Sequence, residues 1–557
     1  MKAKKIIALL TAVLLGTAGA AGSTQAATFH SVEQTSLDEL TKYIRETPQS
    51  EPASGSVTEL TVQLEDAGRA IAGMMVPLDL SWVDHADIVL KADSGEDVAN
   101  AVMTASLNDV ALLTLYLQMD LTTMDARMQI PELSPALLQF HLTDTMETST
   151  SVQAGSLESE DVPLTEEQQK DLIRAAQNLK KNPPSQEVIA TLVERYVKII
   201  YDAYEEGDAG TDTVSVEGHT VNAETVEGIL KQDRILPMTK ELLTTAREDA
   251  DLKAILEQAM VGTSGEATAY ENFQSGIDSL LEDLENEGTT EETAAGEEAE
   301  ASEETAAEEP EPAEDIVIKL WVDEQQKVIG TALGAGAQPM MQMLYPSGED
   351  WSALDLTINA EEMPVRVAGS GTIADGTLSG SYILSAAGQD MVNIAATQSA
   401  DTKETHVFDG EYVLTPITDP TDETNPMNSI AGFGLAAGVH SEKGDSSLKL
   451  DLQSQGASLI NAALHSMDSS EPVAVSFPED ADVYSMTDDS GMDSYLATMD
   501  PTSLMTGLTQ AGMPEDFFEQ IDAMNSGEAY GDDTYTDDAD AGDAYTEAEE
   551  TAGAELP

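Results

Sequence analysis

Few residues in this sequence have the type and spacing to do chemistry, and the candidates fail one by one. Ser446-Ser-Leu-Lys449 has a Ser–Lys spacing. It lies in an alternating strand, Ser446–Leu452, where positions i and i+3 face opposite sides, so the two side chains do not meet. Gly369-Ser-Gly371-Thr-Ile-Ala374 spells a dinucleotide fingerprint after a strand. The next residues, Asp375-Gly376-Thr-Leu-Ser-Gly380, read as a hairpin turn and another strand, so no helix N-terminus is offered to a pyrophosphate. Gly432-Phe-Gly434-Leu-Ala-Ala437 has neither a clear strand before it nor a long helix after it. There is no phosphate-loop Gly-Lys-Ser/Thr and no Gly-x-Ser-x-Gly elbow.

Metal-ligating patterns fail in the same way. The seven histidines (30, 85, 141, 219, 406, 440 and 465) are scattered with no i, i+4 pair, and cysteine is absent. Asp84-His85-Ala86-Asp87 reads as a solvated turn. A calcium loop needs acids at fixed positions around a glycine. Around Gly542 those positions hold Ala539, Ala541 and Ala548, and the loop that would contain Gly491 opens on Met486. The many carboxylates therefore read as a flexible polyanion with weak calcium association. Carboxylates for a glycosidase-like pair are plentiful, but no pair stands out from the background. With few His and Lys and no thiol, the chain is poor in bases and nucleophiles. The expectation is a protein with no catalytic residues, no cofactor and no metal site.

A different chemistry, apolar binding, is written into the strands. Leu113, Leu115, Leu117 and Met119 alternate with Thr114, Tyr116 and Gln118, and Met124, Ala126, Met128 and Ile130 alternate with Asp125, Arg127 and Gln129. Flexible thioethers suit irregular apolar ligands. Met103, Leu113, Leu115, Leu117, Met119, Met124 and Met128 form the candidate ligand face, with core filling as the plainer reading of the same residues.

The chain's 557 residues carry 104 acids against 25 Lys and Arg. Residues 1–27 read as a signal peptide: Lys2, Lys4 and Lys5, the apolar run Ile6–Leu15, then small residues with cleavage sites after Ala20 or Ala26. Without that leader 22 basic residues remain against the same 104 acids, a net charge of −82. Such a chain repels nucleic-acid backbones and anionic lipid surfaces. No later apolar stretch is long enough for a transmembrane span. The expected location is secreted or loosely held at a cell surface.

Residues 282–315 contain 16 acids and no Lys or Arg, and read as a disordered linker. Residues 527–557 read as a disordered acidic tail, and no Lys or Arg occurs after Lys449. Between these lie two expected α+β modules. The first, 28–281, has a helix at Ser36–Glu46 and strands at Ala86–Ala92, Ala101–Leu107, Ala111–Met119, Met124–Ile130 and Leu137–Leu142. After these come helices from the capping box Thr165-Glu-Glu-Gln168 to Lys181 and from Ser185 to Glu206, a hairpin at Thr213–Val226, and helices near Met238–Arg247, Ala250–Met260 and Tyr270–Leu284. The second, 316–526, has strands at Ile316–Val322, Leu354–Ile358, Val365–Val367, Thr377–Leu384, Met391–Thr397, Thr405–Leu414 and Ser446–Leu452, with turns at Asp375-Gly376, Ala387-Gly388 and Asp409-Gly410. A helix at Ala457–Ser466, a strand at Val473–Ser476 and helices near Met492–Met499 and Glu515–Met524 complete it. The fold class is α+β: two antiparallel β-meander modules packed with helices and joined by the acidic linker.

The strands at 101–142 and 354–414, in an exported chain with one apolar sheet face, resemble the half-barrels of LolA- and LppX-type carriers. Met128-Gln-Ile-Pro-Glu-Leu-Ser134 resembles a phrase in uncharacterised exported proteins of Gram-positive bacteria. The resemblance implies a curved sheet and helices enclosing an acyl-chain cavity. The expected function is a non-enzymatic exported protein binding a lipid or other apolar ligand. The alternative is a structural or adhesive surface protein, with acidic, calcium-responsive spacers and a cell-wall partner.

Overall fold

The computed structural model describes residues 27–47, 53–75, 79–95, 97–141, 166–293, 315–335, 338–359, 363–399, 409–421, 425–442, 444–486 and 489–526. The leader up to residue 26, the capping residue Thr165, residues 294–314 of the acidic segment, His406 and the tail from 527 lie outside the described residues.

In chain order the elements begin with α1 (Phe29–Glu46), β1 (Gly55–Leu64), α2 (Asp66–Met75), β2 (His85–Ser94), β3 (Val98–Leu107), β4 (Val110–Asp120), β5 (Asp125–Gln129) and β6 (Leu137–His141). They continue with α3 (Glu166–Lys181), α4 (Gln186–Asp202), β7 (Glu205–Val216), β8 (His219–Leu230), α5 (Gln232–Glu248), α6 (Ala250–Ala259) and α7 (Ala269–Thr293). Then come β9 (Ile316–Val322), β10 (Val328–Ala335), β11 (Gln338–Leu344), β12 (Trp351–Ile358), β13 (Val365–Ala374), β14 (Thr377–Ala386), β15 (Gln389–Ser399) and β16 (Gly410–Pro416). A 3₁₀ turn at Pro426–Ile430 leads to β17 (Phe433–Glu442), β18 (Asp445–Ser454), β19 (Ala457–Ser469), β20 (Val483–Ser485), α8 (Asp489–Leu496), α9 (Thr502–Gln510) and α10 (Phe517–Ser526).

The chain is α+β, but the strands expected in two modules belong to one 20-stranded sheet. Strands β7 to β19 succeed one another as an antiparallel meander. β1 pairs with β19, and β2 to β6 continue outward from it. β20 adds parallel to β6. Two seams join the halves. β8 pairs with β9 across the acidic segment, and β1 pairs with β19 along its whole length. Without its partner, β1 or β19 would expose a row of unpaired N–H and C=O groups, which is the driving force for the seam.

Tight turns make the meander. At Asn108-Asp109, Glu217-Gly218, Asp375-Gly376, Ala387-Gly388 and Gln455-Gly456 both turn residues have positive φ. That geometry matches the twist of the flanking strands. Ala457–Ser466, expected to be helical, lies inside β19, and Val473–Ser476 is not a strand. β1, β10, β11, β17, β20, α2 and α9 have no counterpart among the expected elements. The helix expected at Tyr270–Leu284 continues to Thr293, so the acidic segment begins as helix.

The main core lies where α1, α4 and α5 cover one face of β8 to β10. Phe29, Val32 and Leu37 of α1 meet Val226 and Leu230 of β8 and Ile318, Leu320 and Val322 of β9. Each large side chain so buried contributes about 1.5–3 kcal/mol. Gly228 makes this possible: a Cβ there would lie 2.2 Å from the Phe29 ring. Thr28 caps α1, accepting from the Ser31 N–H while Ser31 Oγ accepts from the Thr28 N–H. The Glu206 carboxylate accepts from the Phe29 and His30 N–H groups, a favourable charge at a helix N-terminus. At this end the sheet also rolls over, bringing β7 back toward β12 and β13. The other face is thereby enclosed, and Val214, Val216, Trp321, Ile329, Ala332 and Ala353 form a second core. His219 stacks on Trp351 at its rim, 4.1 Å between ring centroids.

Candidate functional site: an open apolar sheet face

Residues directly opposite in a ladder point to the same side of a sheet, so the register identifies each face. One row reads Val439, Leu448, Leu464, Leu60, Ile88, Ala105, Leu113 across seven successive strands. A second reads Tyr382, Ile394, Leu414, Leu435, Leu452, Ile460, Leu64. Leu354, Leu356 and Ile358 of β12 extend the same face through Val365 and Val367.

From β12 to β19 and on through β1 to β4, the described residues of this face include one charged side chain, Asp468, near the end of β19. The opposite face of the same strands carries Glu59, Asp87, Lys91, Arg366, Glu411, Lys449 and Asp451. Arg366 is fixed on that polar side by a two-pronged bond to Asp355, with Nε and Nη2 donating at 2.9 and 2.8 Å. At about 4.8 Å per strand, twelve strands give an apolar path of about 50 Å measured along the sheet.

The path is open. Ile88 and Leu464 each keep 40% of their surface exposed, and Ile358 keeps 43%. At one end the face passes under α1, α4 and α5. At the other, Tyr495 of α8 covers Leu138, with Met128 packed alongside. Between those ends, the substantial helix contacts among the described residues are α2 beside β19 and α9 on β4. An exposed apolar surface of this extent is unusual on a protein that works alone in water.

Of the seven residues expected on the ligand face, the register aligns six. Met103, Leu113, Leu115, Leu117, Met119 and Met128 share the face. Met103 is exposed, Leu113, Leu115, Leu117 and Met119 are half-buried, and Met128 lies against the α8 cluster. Met124 is not brought to it. It precedes β5 in a turn, with φ +64°, and is fully buried. The parity argument fails there because the turn breaks the strand alternation. The expected residues left out β1, β2 and β12 to β19, and the strands at 354–414 entered only through the resemblance to the carriers. In β1, Leu60, Val62 and Leu64 alternate with Glu59, Thr61 and Gln63, which was the available signal.

The other chemical candidates separate. Ser446 and Lys449 lie on opposite faces of β18. Gly369 and Gly371 sit inside β13, where a Cβ would run into the Ser381 and Ser379 carbonyls of β14, so they allow close strand packing. His85 is held by carboxylates: Asp84 at 3.2 Å, Asp109 at 3.3 Å and Asp87 at 3.5 Å. Hydrogen bonding to Asp84 chiefly, then to Asp109, raises its pKa against the opposing effect of burial. Among the described residues no group of three or more His, Asp or Glu side chains is arranged to hold a metal ion, and no helix is long and apolar enough to cross a membrane.

One buried acid is unusual. Glu33 of α1 is 1% exposed, its Oε2 lies 2.9 Å from His30 Nδ1, and its Oε1 has no hydrogen-bond partner. Burial above all, then repulsion from Glu206 and Asp202, pushes its pKa up to about 10. It is a neutral carboxylic acid at the α1–α4 contact. Compared with known proteins, the chain matches no family model and no curated sequence.

Proposed function

We propose that this protein is an exported, non-enzymatic binding protein that holds a lipid or similar apolar ligand against the open face of its sheet. The observation that carries this reading is the separation of character across twelve strands: one face almost free of charge and half-exposed, the other polar. Closing that surface with an acyl chain would remove apolar area from water at about 25 cal/mol per Å². An acidic exterior keeps such a protein soluble while it carries an apolar load. In this reading the acidic segment 282–315 and the tail from 527 act as solvating spacers.

Export is supported by the start of the fold. Ala27, directly after the cleavage site expected at Ala26, is buried, and its nitrogen donates to Glu224 Oε2 at 2.9 Å. Cleavage there turns that nitrogen into an ammonium facing a carboxylate, a stronger, charge-assisted bond. Sequencing of the mature N-terminus should therefore read from Ala27. Native mass spectrometry of protein purified from its host tests the binding function. A mass excess matching a lipid is expected. A ligand-free mass, with no uptake of lipid added afterwards, would defeat the proposal.

A further inference from the structure

The lipid-binding reading leaves open what chemical head the ligand carries, and a cavity at one end of the apolar face supplies an answer. It measures about 680 Å³ and lies where β1 to β4 meet α3 and the turn after α6. The strand ends and their turns contribute Ser54, Ser94 and Leu121, and α3 contributes Arg174, Lys180 and Lys181. Ser94 pairs with Ala99, which pairs with Met119. The cavity therefore opens where the apolar rows end.

Its charge is inverted relative to the rest of the chain. Among the described residues three cations line it against one acid, Asp97, in a protein with 104 acids and 25 Lys and Arg. The cationic wall is also built. Asn178 Nδ2 donates to the Ala259 and Val261 carbonyls at 2.7 and 2.8 Å, and Arg174 donates to the Gly262 carbonyl. Asp171 accepts from the Ser264 N–H at 3.0 Å. These bonds fasten α3 to the turn after α6 and hold Arg174 in place. In an anionic protein, a fixed cationic pocket concentrates field lines and selects an anion.

We propose that this cavity is the head-group subsite of the apolar face, and that the ligand is an amphipath with an anionic phosphate or carboxylate head. The acyl chain lies along the sheet and the head enters between Ser94 and α3, where the Arg174 fork and the two lysines receive its oxygens. This inference rests on the apolar face being the ligand site, and the test separates the two.

The full chain is titrated with hexadecyl phosphate, hexadecanol and inorganic phosphate, as wild type, as K180A/K181A and as I88N/L464N. Lys180 and Lys181 are exposed, so the first variant keeps the fold. Hexadecyl phosphate should bind about tenfold or more tightly than hexadecanol, as loss of charge-assisted hydrogen bonds implies. K180A/K181A should erase most of that advantage and leave hexadecanol unchanged, while I88N/L464N should weaken both chain ligands. Equal binding of both chain ligands, indifferent to K180A/K181A, overturns the head-group assignment and leaves the apolar face standing. Inorganic phosphate binding as tightly as hexadecyl phosphate makes the cavity a free-anion site and overturns the amphipath. Failure of both chain ligands to bind removes the face reading and this inference with it.

Discussion

Replacing Glu33 with glutamine should stabilise the protein, and by an amount that depends on pH. An unfolded chain releases the Glu33 proton near the ordinary glutamate value of 4.5, whereas the folded chain keeps it until about pH 10. Between those limits the native state binds more protons than the unfolded one, so stability is full below pH 4.5 and falls as pH rises. Each pH unit removes about 1.4 kcal/mol, so at pH 7 the loss is about 3 kcal/mol. That is a large part of a typical total of 5–15 kcal/mol. Glu33→Gln has no proton to release, and its amide can still donate to His30 Nδ1. Urea unfolding of wild type and E33Q at pH 4.5, 5.5, 6.5 and 7.5 reads the difference directly. The two should match at pH 4.5 and diverge to about 3 kcal/mol in favour of E33Q near pH 7. A constant difference across the series, or an E33Q less stable than wild type at pH 7.5, would refute the reasoning.

Two more outcomes are set by the packing. Asp249 caps α6 through the Asp251 and Leu252 N–H groups and receives Arg195 and the Tyr196 hydroxyl. Burial pulls its carboxyl upward, but Arg195 and those backbone and hydroxyl donors together hold it below the usual aspartate range. Asp249→Ala should cost about 1–2 kcal/mol in urea unfolding, from the lost cap and the weakened hold on Arg195, which keeps Asp251 at 2.9 Å, with Asp249→Asn losing less. Gly228→Ala places a methyl group against Phe29 and should cost about 1–3 kcal/mol. In a double-mutant cycle with Phe29→Ala the two losses should not add.

Local period and turn chemistry were legible. The alternation of β4 and β5, the two-residue turns at Asp375-Gly376 and Ala387-Gly388, and the Ser185 cap of α4 all read directly from neighbouring residues. β19 did not. Leu459, Ala463 and Met467, with Ile460 and Leu464, recur four apart and imitate a helix, and two ladder partners override that preference. The single sheet was equally hidden, because pairing between strands so distant in the chain leaves no local mark. The cationic cavity shows the same limit. Lys180 and Lys181 read as ordinary charges at a helix C-terminus, and only the fold sets them beside Ser54 and Ser94.

The seam between β1 and β19 also sets a clock. Gly55 pairs with Ser469, so a chain emerging N-terminus first offers β1 its nearby partner β2 early and its second partner last. At a synthesis rate of 5–20 residues per second the wait is about 20–80 s. Through that interval β1 is an open edge beside a bare apolar face, a template that a strand of another chain could pair with. Avoiding exchange of strands between chains therefore requires that folding be postponed until residue 469 is available, or that the early edge be sheltered by a second protein. The pairing that completes the sheet makes the protein dependent on how it is delivered.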